Sequence, residues 1–255
     1  MILASWNIRG LNDPLKQREV FDFLMLHKVD CCGILETHVK ALQASSISKR
    51  SLSRFSLVIN YHAHYNGRIW ILWNPTVVSL TVLGSSGQFI HYEVVHLASQ
   101  CMLNCTFIYA FNNASSRQDL WGDLRVISAS ISSPWACTGD FNVVLSSSER
   151  VGGVTYPPSV MKDFGDCLDF CKLSDHPATG CLYTWSNNQN LTLKWAKLDR
   201  ILVNWLWFQK LSSSANFLNP GASDHSPALL RLHTGITKLN KPFRFLNCWS
   251  LSPLY

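Results

Sequence analysis

Apolar side chains recur at two different spacings along the chain, and the changes of spacing mark out the elements. Residues 2–8 form a short apolar run that ends in Asn7-Ile8-Arg9-Gly10, which reads as a strand entering a turn. Asn12-Asp13-Pro14 follows. It places Asp13 at a helix cap and Pro14 at the first helical position, where a missing N–H costs nothing. From Leu15 to Lys28 the apolar positions recur at helical spacing and suit a one-sided helix. Residues 32–36 read as a second buried strand, and the serine-dense stretch 45–56 as a loop or weak helix. Five β-rich runs come next, at 55–61, 68–73, 76–83, 89–97 and 101–110, with Gly67 and Asn74-Pro75 as hairpin turns.

Residues 115–131 read as a helix and 135–138 as a strand. The clearest helix is 158–171. Pro158 opens it, and Val160, Met161, Phe164, Cys167, Leu168 and Cys171 share one face at 3.6-residue spacing. Short strands are expected near 182–185, 198–203, 215–218 and 226–233. There is no internal repeat of fixed period. Strands flanked by helices in two comparable halves predict one α/β (α+β) domain over residues 1–235. Its expected architecture is a four-layered sandwich, with two mixed β-sheets packed face to face and helices outside. Residues 236–255 read as a C-terminal linker.

Composition narrows the class. The chain has 255 residues, of which 47% are hydrophobic, 12% aromatic and 15% charged, which suits a packed globule and excludes disorder as the main state. The net charge of +6 is spread over both halves, so contact with phosphate polyanions is permitted without being demanded. No apolar run approaches the roughly 18 residues that a membrane-spanning helix needs. The N-terminus lacks the basic segment of a secretory signal. The nine cysteines lie mostly inside apolar runs, with no C-x-x-C pair, and read as reduced core thiols. An intracellular protein, nuclear or cytoplasmic and not secreted, is expected.

Four polar clusters stand at the ends of apolar strands: Trp6-Asn7-Ile8-Arg9-Gly10, Leu35-Glu36-Thr37-His38, Gly139-Asp140-Phe141-Asn142 and Ser223-Asp224-His225-Ser226-Pro227. Each alone is weak, since a Glu after a strand is usually a solvated turn residue and Gly-Asp is a common turn. Together they hold what metal-assisted attack on a phosphate requires: hard oxygen ligands, amides and carboxylates to position water, and a histidine.

In this order and rough spacing the four clusters resemble the endonuclease/exonuclease/phosphatase superfamily, which includes deoxyribonuclease I and abasic-site endonucleases. Ile108-Tyr109-Ala110 and Lys197-Leu198-Asp199-Arg200-Ile201-Leu202 match two further strand ends of that family. Finer features resemble the endonuclease domain of plant non-LTR retrotransposons: Gly67-Arg68-Ile69-Trp70-Ile71-Leu72-Trp73, Arg117-x₃-Trp121 and Tyr183-Thr184-Trp185-Ser186-Asn187. The resemblance implies a DNA-nicking phosphodiester hydrolase that uses Mg²⁺, with Mn²⁺ as the alternative, and works as a monomer. It makes Glu36 the carboxylate ligand, with Asn7 beside it and Asp224 completing the shell. Asp140 and Asn142 would orient or deprotonate water. His225 would contact the scissile phosphate or transfer a proton, with Asp199 accepting its other ring N–H. Tyr109 would hydrogen-bond a phosphate oxygen. Arg68, Trp185, Asn187 and Asn188 are candidate DNA contacts, with hairpin packing or solvent exposure as the alternative. Full-length relatives continue into a reverse transcriptase, a domain absent from this sequence. Two other readings stay open: a phosphoesterase acting on phospholipid or inositol phosphate, and an inactive retroelement remnant that at most binds nucleic acid.

Ser174-Asp175-His176-Pro177 duplicates the Ser-Asp-His pattern. Its place after the 158–171 helix predicts an exposed connecting turn for His176, whereas His225 follows the Asp199 strand. His62, His64, His91 and His96 read as strand-surface residues.

Overall fold

Residues 1–65, 67–154, 156–189 and 192–233 are described by the structure, a computed structural model. In chain order the elements are β1 (Ile2–Asn7), α1 (Pro14–Leu26), β2 (Cys31–Leu35), α2 (Ala41–Ser51), β3 (Ser56–Ile59), β4 (Ile69–Trp73), β5 (Val78–Ser85), β6 (Phe89–His96), β7 (Cys101–Tyr109), α3 (Ala114–Ser130) and β8 (Trp135–Asp140). There follow β9 (Arg150–Val151), α4 (Pro158–Cys171), β10 (Leu173–Asp175), β11 (Ala178–Gly180), β12 (Trp185–Ser186), β13 (Trp195–Ala196), β14 (Asp199–Asn204), α5 (Trp205–Lys210), β15 (Ser213–Phe217) and β16 (Ala228–Leu232). One sheet runs β11-β15-β16-β1-β2-β4-β3 and the other β10-β14-β8-β7-β6-β5, each mixing parallel and antiparallel neighbours; β12, β13 and β9 form a small third sheet.

The alternation of side chains along each strand builds the layers. In β1, Leu3 faces the space between the sheets, where it joins Leu35, Ile71, Tyr92, Phe107, Ile201 and Leu230. Ala4 and Trp6 face the other way and join Val20, Phe23 and Ile47 under α1 and α2. The second sheet does the same with α3 and α4, which cover Ile108, Trp135 and Cys137 with Leu120, Trp121, Phe164 and Cys167. This is the expected four-layered arrangement.

Local rules hold at the elements that matter most. The Asp13 carboxylate accepts the Leu15 N–H at 2.8 Å, and Pro14 opens α1. The helix read at 158–171 is α4, and it buries Phe164, Cys167, Leu168 and Cys171. The serine-dense stretch is largely helical, as α2.

Three expectations are corrected. Asn74-Pro75 is not a hairpin turn: β4 lies in the first sheet and β5 in the second, so the segment crosses between sheets. The Asn74 side chain shapes it by accepting the Thr76 N–H and hydroxyl. His91 is buried, with Nδ1 2.8 Å from the Thr106 hydroxyl, because the outer face of its sheet is roofed and not solvated. His176 is buried too. Its N–H donates to Ile201 at 2.8 Å, extending the β10–β14 pairing. Its ring lies 2.8 Å from the Ser213 hydroxyl and stacks on Phe208.

Six of the described cysteines are buried and two half-buried, all as free thiols. Cys248 and the linker expected at 236–255 lie outside the described residues.

Candidate active site

The site follows from the strand periodicity that builds the core. Ser5 of β1 and Thr138 of β8 face each other across the two sheets, hydroxyl to hydroxyl at 2.8 Å. Two residues further along each strand, on the same face, stand Asn7 and Asp140. β14 pairs with β8 so that Asp199 lies opposite Asp140, and Ile201 and Val203 continue its inner face into the core. Tyr109 ends β7 on that same face. Polar residues thus occupy the ends of strands whose inner faces run on into the apolar core, at Leu3, Ala136, Phe107 and Ile201.

Gly139 makes the approach of β8 to β7 possible. Its φ is +137°, and a Cβ there would sit 2.1 Å from the Ile108 carbonyl oxygen. Glu36 follows β2 in the left-handed region, at φ +53°, which turns the chain out of the strand.

Asn7 is the hub. Its Nδ2 donates to Asp140 Oδ2 at 2.9 Å and Glu36 Oε2 at 3.1 Å, and lies 3.4 Å from His225 Nε2. Its Oδ1 accepts the Arg9 N–H at 3.0 Å. Asp140 Oδ1 accepts the Asn142 N–H at 2.9 Å, and Asn142 Nδ2 donates to the Ala110 carbonyl at 2.7 Å. His225 Nδ1 lies 2.8 Å from Asp199 Oδ2, and its Nε2 lies 3.8 Å from Asp140 Oδ2. The His38 ring reaches Glu36 Oε1 at 3.0 Å.

The electrostatics follow from burial. Desolvation pushes the Asp140 carboxyl up to about 7. The neighbouring Asp199 adds to this, and His225 together with the Asn142 and Asn7 hydrogen bonds opposes it. Burial alone would lower the His225 imidazole, but Asp199, Asp140 and Asp224 outweigh it and raise the ring to about 9. His225 is therefore cationic at neutral pH. Burial, then the charges of Glu36 and Asp140, raise the Tyr109 phenol, which stays neutral. Arg68 Nη1 donates to its oxygen at 3.0 Å.

These groups line a cleft of about 260 Å³ that holds Glu36, Asp140, Asn142 and His225 together with Arg9, Arg150, Tyr156 and Trp185. Asn7 and Asp199 lie behind its wall, and Arg68 joins through Tyr109. Asp224 lies beside it with its Oδ2 engaged by the Arg9 guanidinium and by Trp185 Nε1–H at 3.0 Å. Asn187 is turned into its own loop, accepting the Lys194 N–H and donating to Thr192, and Asn188 is exposed beyond it. His176 does not line the cleft.

Sequence reasoning gave no role to Arg9, Arg150 or Tyr156. Arg9 sits inside a quoted cluster, next to Asn7. Arg150 lies over the Tyr156 ring at 4.9 Å, in a glycine-containing segment with no periodicity that would have aimed it.

The donor set suits a hard divalent cation. Three buried or half-buried carboxylates surround one imidazolium, which leaves the cluster anionic. Asp140, Asp199 and His225 offer ligand atoms within 4.8 Å of one another.

The fold is that of a deoxyribonuclease I-like sandwich. Residues 4–225 match the Endonuclease/Exonuclease/phosphatase family, and the chain belongs to it. Members of that family are metal-dependent hydrolases of phosphate esters. The fold is shared with the AP endonuclease LMAP from Leishmania major: TM-score 0.69, 16% identity, covering 91% of this chain and 87% of that one. It is also shared with the endonuclease domain of TRAS1, a telomere-specific non-LTR retrotransposon: TM-score 0.66, 9% identity, covering 91% and 98%. A third likeness is to D. rerio TDP2 complexed with a single-strand DNA product: TM-score 0.63, 15% identity, covering 92% and 99%. No match was found among curated protein sequences.

Proposed function

We propose that the chain is a phosphodiesterase that nicks DNA, an endonuclease of retrotransposon type that uses Mg²⁺ or Mn²⁺. The observation that carries this reading is the network in which Asn7 joins Glu36, Asp140 and His225 while Asp199 holds the other face of the imidazole. Glu36 and Asp140 would hold the cation, which when bound supplies positive charge to a phosphoryl oxygen.

The other roles belong to side chains. Asp140, fixed by the Asn142 N–H, orients the attacking water and accepts its proton. His225, cationic and oriented by Asp199, opposes the charge that builds on the phosphate oxygens. The Tyr109 hydroxyl, polarised by Arg68, donates to a phosphate oxygen. A cleft walled by Arg9, Arg150, Tyr156 and Trp185 offers charge for a phosphate backbone and aromatic faces for bases.

The test is relaxation of supercoiled plasmid by the purified chain in Mg²⁺, with and without EDTA, beside a phosphoinositide and a sugar phosphate. Nicking of plasmid abolished by EDTA supports the reading. Turnover of a small phosphate ester alone overturns it. Binding to a short duplex should also weaken steeply between 50 and 200 mM salt, since phosphate contacts release counterions.

A further inference from the structure

Asp224 is flanked by two groups that neutralise or occupy it. The Arg9 guanidinium and the Trp185 indole N–H both address its Oδ2. Oδ1 has a long contact, 3.5 Å, with the adjacent Ser223 hydroxyl. A carboxylate already paired with a guanidinium is a poor ligand for a second cation, because binding it would break the pair and bring two positive groups together.

The pair is also unsuited to a purely structural role. The Asp224 side chain is only 8% exposed, but that of Arg9 is 59% exposed. An ion pair with so open a cation contributes little to stability. Yet the position of Arg9 is built with care. Its φ is +47°, and its backbone N–H is held by Oδ1 of Asn7, the hub of the site. Trp185 is fastened as firmly. It bridges His225 through the backbone, the Ser186 N–H donates to the Asp224 carbonyl at 3.1 Å, and its ring centre lies 6.5 Å from that of His225. A guanidinium has five N–H donors, and most remain for a ligand after one meets Asp224. Arg9 and Trp185 both line the cleft beside Asp140 and His225.

We infer that Asp224 is a positioning residue, not a ligand of the metal: it holds Arg9 and Trp185 at the rim of the cleft as the grip on a polynucleotide, the guanidinium on a phosphate and the indole against the neighbouring nucleotide. This rests on the proposed phosphodiesterase reading for the identity of the substrate, but the statement about the metal does not. The fixed charge of Arg9 stands in the Asp224 corner, and the cation belongs on the Glu36–Asp140 side.

Two binding measurements on Asp224→Asn, Arg9→Gln, Trp185→Phe and Glu36→Gln test the inference. Neither relies on turnover. Titration with Mn²⁺ alone should give affinities within about twofold of the parent for the first three variants, and a loss of at least tenfold for Glu36→Gln. Binding of a short DNA duplex in EDTA should weaken about tenfold for Asp224→Asn and for Arg9→Gln, the size expected for losing a charged hydrogen bond. The double variant should be no weaker than either single one, because both remove one grip. A tenfold loss of Mn²⁺ affinity in Asp224→Asn would make it a ligand and overturn the inference. Additive losses of DNA affinity in the double variant would also overturn it. A parent that binds Mn²⁺ but no duplex would refute the nuclease reading, and with it the grip. The Mn²⁺ series would still decide whether Asp224 is a ligand.

Discussion

His225 and Asp199 meet across the two sheets, with ring nitrogen and carboxylate 2.8 Å apart and both side chains buried. Asp199 begins β14 of one sheet, and His225 sits just before β16 of the other. The contact therefore depends on the sheets stacking as they do, and it fixes which ring nitrogen faces the cleft. His225→Ala should abolish nicking. Asp199→Asn should retain an intermediate rate, because orientation is partly kept while the charge supporting the imidazolium is lost. His176→Ala should nick at nearly the parental rate although its fold is weakened by about 1–3 kcal/mol through lost hydrogen bonds. Plasmid assays on the three variants check this, and a dead His176→Ala with a native fold would move the histidine role.

Glu36→Gln and Asp140→Asn should each lower nicking by at least a few orders of magnitude. Each exchanges a charged oxygen for an amide of the same shape, so the loss reports on charge and not on packing. Circular dichroism should match the parent in both cases. A variant that nicks within about twofold of the parent would remove that residue from the chemistry.

Much of this site was legible before any coordinates, because its residues are the polar exceptions at the ends of apolar strands. Asn7, Glu36 and Asp140 close apolar strands, Asp199 opens one, and His225 stands just before another. The helix at 158–171 was legible for the same reason, one apolar face at one period. The failures share a cause: local sequence does not reveal what covers a face or which sheet a strand joins. Asn74-Pro75 signals a turn, but the next strand pairs with His96 and its neighbours in the other sheet and not with β4. His91 alternates with Ile90 and Tyr92 as a surface residue would, yet its face is closed by Trp135. Arg150 and Tyr156 lie in a segment without periodicity, so nothing along the chain aimed them at the cleft.

The burial of His91 carries a pH signature. Desolvation lowers the ring from the ordinary histidine value of 6.5 to about 4. The folded state thus resists a proton that the unfolded chain accepts, and the stability it contributes is present above pH 6.5 and lost as pH falls toward 4. Between pH 7 and pH 5 the loss is about 2 kcal/mol. Asp140 works in the opposite direction over that range, since its raised carboxyl is relieved by protonation. The quantity to measure is therefore the difference between parent and His91→Gln in urea midpoints at the two pH values. His91→Gln should lose less stability on acidification than the parent. Equal losses in the two proteins would show that His91 is protonated in the fold.

Two glycines should answer an added methyl group with opposite signs. Gly139 lies at φ +137°, and its Cβ would meet the Ile108 backbone oxygen at 2.1 Å, in the parallel pairing of β7 with β8. Neither the backbone angle nor the neighbour can yield without moving Asp140, the next residue. Gly122 lies within α3 with open space around it and an exposed position. There alanine removes unfolded-state freedom and suits the helix, a gain of about 0.5–1 kcal/mol. Gly139→Ala should therefore unfold at a lower temperature and lose nicking together with stability, while Gly122→Ala should unfold at a higher temperature and nick at the parental rate. Thermal unfolding followed by circular dichroism reads both. A Gly139→Ala protein as stable and active as the parent would mean that β8 has room to shift by an ångström or more, and that the spacing of Asp140 from Asn7 and His225 is not set by that close backbone approach.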